Sequence, residues 1–155
     1  MRSTSKPFRT SVYDAIKNVT YLGELIPVAS EYANSTPAIL NIGNNKQAKA
    51  WIQLTNQTSD DNSPKCHRND LNSIQIQVRV AYNANSGSYE HAENIADLIL
   101  EILFPIGNEF EMPIESPFHV WNMSKESERN INYQDSTDRI WMKNILITAQ
   151  IEQSA

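Results

Sequence analysis

The chain has 155 residues, 13 Lys+Arg against 18 Asp+Glu, a formal net charge of -5 and 40% hydrophobic residues. That length suits one domain, able to bury about 70% of its unfolded surface without a metal or a disulfide. With only 20% of residues charged, and acids in excess, neither charge-driven disorder nor a basic nucleic-acid binder fits.

Residues 1–9 are polar and basic without periodicity and read as a flexible N-terminal arm. Thr10 or Ser11 then caps a first helix, with Val12, Ile16 and Val19 on one stripe and Gly23 as its stop. Leu25–Tyr32 contains Pro27, which confines it to an edge strand or an extended connector. Thr36-Pro37 opens a short apolar run, Ala38–Ile42, closed by Gly43. Lys49–Thr55 reads as a strand. Asn56–Asp70 reads as a long polar hairpin loop, of the kind that is functional or disordered. Leu71–Tyr82 alternates cleanly, with Ile74, Ile76, Val78, Val80 and Tyr82 on one face and Gln75, Gln77, Arg79 and Ala81 on the other.

After a turn at 83–87, Ser88 caps a second helix. Its apolar face is Ala92, Ile95, Ala96, Ile99, Ile102 and Leu103, and its wet face Glu93, Asp97 and Glu101. Pro105 and Gly107 end it, and an acidic stretch, Glu109–Glu115, follows. Phe118–Met123 alternates as a strand, Ser124–Thr137 reads as a polar loop, and Ile140–Ile151 is the last strand. Strands in runs between two helices predict an α+β domain over 10–152: one antiparallel sheet with both helices on one face.

No stretch reaches the ~18 apolar residues of a membrane helix, and the N-terminus lacks the apolar core of a signal peptide. A cytoplasmic origin is expected, where the single cysteine, Cys66, stays reduced and forms no intrachain disulfide. The sequons at Asn18, Asn34, Asn56 and Asn122 then carry no glycan; 17 Asn and 23 Ser+Thr give roughly 2–3 sequons by chance.

Candidates for chemistry are few. Cys66-His67 lacks the spacing of converging metal ligands, and His91 and His119 each stand alone. Asp60-Asp61-Asn62 lacks the glycine and the closing glutamate of a calcium loop. Glu109, Glu111 and Glu115 read as a solvated acidic loop. With four glycines, no phosphate loop, dinucleotide fingerprint or nucleophile elbow is present. No catalytic, cofactor-binding or metal residue is assigned, and no enzyme is expected. Trp51, Trp121 and Trp141 lie on predicted strands, in sheet packing or, because Trp favours interfaces, in subunit contacts.

Three stretches resemble the tail-completion or tail-terminator proteins of tailed bacteriophages. They are the opening helix SVYDAIKNV (Ser11–Val19), TPAILNIG (Thr36–Gly43), and the strand–turn–helix from Ile74 to Leu103. The resemblance implies a virion protein, made in the host cytoplasm, that forms a ring of six or twelve copies at the head–tail junction. It further implies partners among portal, stopper or adaptor, and tail-tube proteins, with DNA crossing the bore without sequence-specific binding and no membrane. Residues 1–9 and the 56–70 loop are then expected to touch neighbouring subunits. The net negative charge is compatible with a channel along which DNA slides. A cytoplasmic adaptor or ligand-binding α+β domain is the alternative.

Overall fold

The computed structural model describes residues 3–30, 36–61, 68–83, 86–106, 112–135 and 137–154. Helix α1 spans Ser5–Ile16 and helix α2 spans Glu90–Leu103. The strands are β1 (Thr20–Tyr21), β2 (Glu24–Leu25), β3 (Val28–Ser30), β4 (Ala38–Gly43), β5 (Lys46–Asp61), β6 (Arg68–Asn83), β7 (Phe118–Asp135) and β8 (Asp138–Gln153). The β1–β2 hairpin stands apart. The main sheet runs β3-β5-β6-β8-β7, with β4 also on the β5 edge, so β3 and β4 share one side of β5.

The α+β class holds, but the sheet is mixed, not purely antiparallel: Val28–Ser30 runs parallel to Ile52–Leu54. Pro27 explains the edge position. It has no N–H to donate, while its carbonyl accepts from Ile52 N at 2.9 Å.

Pairing register builds the core. Ile76 lies opposite Leu54 on one side and Ile145 on the other, and Ile74 lies opposite Ile147. Onto this apolar face α1 sets Phe8, Val12 and Ile16, and α2 sets Ala92, Ile95, Ala96, Ile99 and Leu103, all buried. Each fully buried Ile, Leu or Phe contributes about 1.5–3 kcal/mol.

Three expectations are corrected. The first helix begins at Ser5, not near Ser11, so Ser5–Arg9 are helical and not a free arm. Phe8 continues the Val12–Ile16 stripe one turn earlier, and Pro7 falls in the first turn, where a missing N–H costs nothing. A buried polar cluster fixes the helix start. Thr4 Oγ1 donates to Asp70 Oδ2 at 2.8 Å and accepts from Asn72 Nδ2 at 2.9 Å. Second, the 56–70 segment is mostly strand: β5 reaches Asp61 and β6 starts at Arg68, their ends paired as Asp60–Leu71 and Asp61–Asp70. Only 62–67 lies outside the described residues there. Third, the supposed loop after Met123 is strand to Asp135, hydrogen-bonded to β8.

The β1–β2 hairpin turns on Leu22 and Gly23 at φ 50° and 79°, the two positive values a two-residue turn of this hand needs. Leucine suffers there because its Cβ meets the following carbonyl. Leu22→Asn is expected to raise stability by about 0.5–1 kcal/mol, since Asn tolerates this region. Thermal melting measures it, and a lower midpoint would contradict the assignment of strain.

Candidate assembly surfaces

The sequence points to no reacting constellation, which leaves the surfaces of the domain as its candidate sites. Cys66, His67, Asn62, Glu109 and Glu111 lie outside the described residues. Asp60 and Asp61 sit on β5 in ladder pairing. His91 Nδ1 and the Tyr21 hydroxyl are hydrogen-bonded at 2.7 Å, and Asn94 Nδ2 donates to the same hydroxyl at 3.0 Å. His119 packs edge-on against Trp121, ring centres 4.4 Å apart. Among the described residues no three His, Cys, Asp or Glu groups converge as metal ligands do, and no helix is long and apolar enough to cross a membrane.

A groove of about 720 Å³ opens where β4 and β5 meet the end of β6 and the start of α2, with Ile39, Lys46, Lys49, Tyr82 and His91 among its lining. Burial, aided by the Tyr21 phenol and the Glu90 carboxylate, pushes the Tyr82 phenol up to about 12. An unfolded tyrosine ionises near pH 10, so above that pH ionisation favours the unfolded chain. Stability from this group is complete below about pH 10 and is lost on the way to about pH 12. Tyr82→Phe is expected to make the alkaline fall shallower in chemical denaturation between pH 9 and 11.5. Identical slopes for both proteins would contradict it.

Beside the groove, Trp141 Nε1 donates to Ser86 O at 3.1 Å, and the Tyr89 ring meets Trp141 edge-on at 4.7 Å. Trp141 is thus a packing residue. Trp121, 48% exposed, donates to Glu152 Oε2 at 2.8 Å, and Trp51 is half-buried on the sheet.

Edge strand β7 is guarded. Bulges break its register between Trp121 and Ser124 and between Lys125 and Ser127. Charged Lys125, Glu126, Glu128 and Arg129 line its exposed stretch. The Lys125 ammonium, hydrogen-bonded at 2.6 Å, holds the Glu128 carboxyl below the usual carboxylate range.

The face of the sheet turned away from the helices shows a different pattern. Register aligns four rows across β5, β6, β8 and β7: Lys49, Ala81, Ile140, Tyr133; Trp51, Arg79, Met142, Ile131; Gln53, Gln77, Asn144, Arg129; Thr55, Gln75, Leu146, Ser127. Carboxamides knit the middle: Asn56 Nδ2 donates to Gln75 Oε1 at 2.9 Å and Asn144 Nδ2 to the same oxygen at 3.4 Å. Arg79 donates to Gln77 Oε1 and to the Tyr133 hydroxyl. In a chain of net charge -5, these sixteen positions hold three cations and no acid. The opposite layer is reversed on α2, where Glu90, Glu93, Asp97 and Glu101 are its charged residues, with no Lys or Arg. The acid stripe is legible in sequence. The cationic face is not, because it exists only once the register is known.

No protein-family model matches the sequence, and no curated protein is significantly similar to it. Among solved structures, the chain is similar to a chain of the virion of a native gene transfer agent particle. The identity is 12% and the TM-score 0.65, over 98% of this chain and 99% of that one. At that identity the likeness is one of fold, and it extends from end to end of both chains.

Proposed function

We propose that the protein is a structural component of a phage-like virion, a ring-forming subunit at the head–tail junction that ends or connects the tail and lets DNA pass. The observation that carries this reading is the end-to-end likeness of fold to a virion chain, with neither chain holding a substantial domain the other lacks. The surfaces support it. A ring needs two different patches on each subunit, related by a rotation that closes, and this domain presents one sheet face and one helix face of unlike chemistry. The sequence resemblance to tail-terminator proteins points to the same place in the particle, and its expected partners, portal, stopper and tail-tube proteins, belong to this proposal.

The experiment is a protein inventory of purified particles from producing cells, with antibody labelling in the electron microscope. The expected result is a fixed, low copy number per particle and label at the neck. Recovery only from the soluble fraction, in particles otherwise complete, would refute the reading.

A further inference from the structure

We infer that the helix-free sheet face of one subunit docks on α2 of the next copy of this chain, a contact repeated around the ring. The inference rests on the ring reading above and says which surfaces make it.

Three observations carry it. The first is charge. Lys49, Arg79 and Arg129 mark the four sheet rows without a single acid, and α2 answers with Glu90, Glu93, Asp97 and Glu101 without a single Lys or Arg. Acids reappear only beyond those rows, Asp135 and Asp138 past one end and Glu126, Asp60 and Glu152 past the other. Complementary potentials of this kind fix partner and register. The second is extent. Glu90 to Glu101 spans about 17 Å at 1.5 Å per residue, and Lys49 to Arg129, three strands and two rows apart, spans about 20 Å. Helix α1 exposes Lys6 and Asp14, and Asp14 is paired at 3.2 Å with Lys17 just past the helix, so the excess acid of the two helices lies on α2, which selects the helix that docks. The third is geometry. The two faces lie on opposite sides of a two-layer domain, so their pairing is head-to-tail and generates a ring or a filament, never a two-fold dimer.

Size accounts for the behaviour expected in solution. Four strands by four rows cover about 500 Å² in projection, and Ala81, Gln77, Ile140 and Met142 among them are already buried within the subunit, so the contact falls short of the about 800 Å² per partner of a stable pair. An isolated pair is therefore weak, and closure, which gives every copy two such contacts, makes the ring.

The test uses two charge-reversed full-length variants on exposed positions. One carries Glu90→Lys, Asp97→Lys and Glu101→Lys, leaving Glu93 with its hydrogen bond from Asn130; the other carries Lys49→Glu and Arg129→Glu, leaving Arg79 with its hydrogen bonds. Mass photometry follows assembly at low and high salt, with binding of a short DNA duplex measured in parallel. Each variant alone is expected to need about tenfold more protein to assemble than the wild type, which itself weakens as salt rises. Mixed one to one, the variants are expected to recover part of the loss in even-numbered rings of alternating subunits, and one chain carrying all five changes is expected to assemble alone. That recovery excludes misfolding as the cause of the single losses. Wild-type rings with unaffected variants would overturn the inference and leave the ring reading standing. A wild type that never assembles would overturn both. Loss of DNA binding by the sheet variant with unchanged rings would make the sheet a nucleic-acid surface and overturn the inference.

Discussion

Phe8→Ala is expected to destabilise the protein by about 3–5 kcal/mol, the range for emptying a buried aromatic site. Phe8 is fully buried in the core that also holds Val12 and Ile16. The void has little means of collapse, because the helix start is held independently. Thr4 is bonded to Asp70 and Asn72, and Arg9 Nη1 donates to Gln57 Oε1 at 3.3 Å. For a domain of this size the loss corresponds to a melting midpoint lower by roughly 10–15 °C. Lys6→Ala, on the exposed side of the same helix, is expected to stay within about 0.5 kcal/mol. A small effect for Phe8→Ala, equal to that of Lys6→Ala, would return residues 5–9 to the status of a free arm.

Gly87→Val is the second large effect. Gly87 has φ 103°, where a β-branched residue is strained, and a Cβ built on it lies 2.5 Å from Trp141 Nε1 and 2.5 Å from Tyr82 Cδ2. Neither ring can yield cheaply. Trp141 is held by Ser86 O and the Tyr89 ring, and Tyr82 is 5% exposed. Backbone strain together with overpacking is expected to cost about 2–4 kcal/mol. In urea the midpoint falls by roughly 1–2 M, with the slope unchanged. Gly87→Ala is expected to show a smaller loss of the same sign. A neutral Gly87→Val would mean that the turn and the two rings do not pack as described.

Both residues show where the sequence is readable. Helix α2 is legible because its apolar positions recur at 3.6 residues and its acids fill the other face. Strand β6 is legible from Ile74 to Tyr82 because that stretch of its core face is apolar. Helix α1 is half legible: the stripe through Val12 and Ile16 is plain, but Pro7 and the basic residues around Phe8 imitate a loose terminus. Strand β7 past Met123 escapes because an edge strand wet on both faces has no alternation to show; residues 124–130 are all exposed, and only the β8 backbone makes them a strand. The end of β5, exposed from Thr58 to Asp61, escapes for the same reason, while the start of β6 escapes because its core-facing residues there, Asp70 and Asn72, are polar. The parallel run of β3 is invisible because direction is a property of pairing, and Pro27 reveals only that the strand is at an edge.

The candidate surfaces divide along the same line. The acid stripe on α2 is a local pattern, readable from spacing alone. The cationic, acid-free sheet face gathers Lys49, Arg79 and Arg129 from three strands up to 80 residues apart in the chain, so no window of sequence contains it. Gly87 gives no sign of Trp141, 54 residues on, whose ring occupies the place of its missing side chain.

Native mass spectrometry of the purified full-length protein across a concentration series decides whether this chain is the ring-forming virion subunit proposed above. One closed stoichiometry, six or twelve copies, is expected to rise at the expense of monomer without a ladder of higher species. Monomer alone at every concentration, with portal, stopper and tail-tube proteins added in turn, would contradict it.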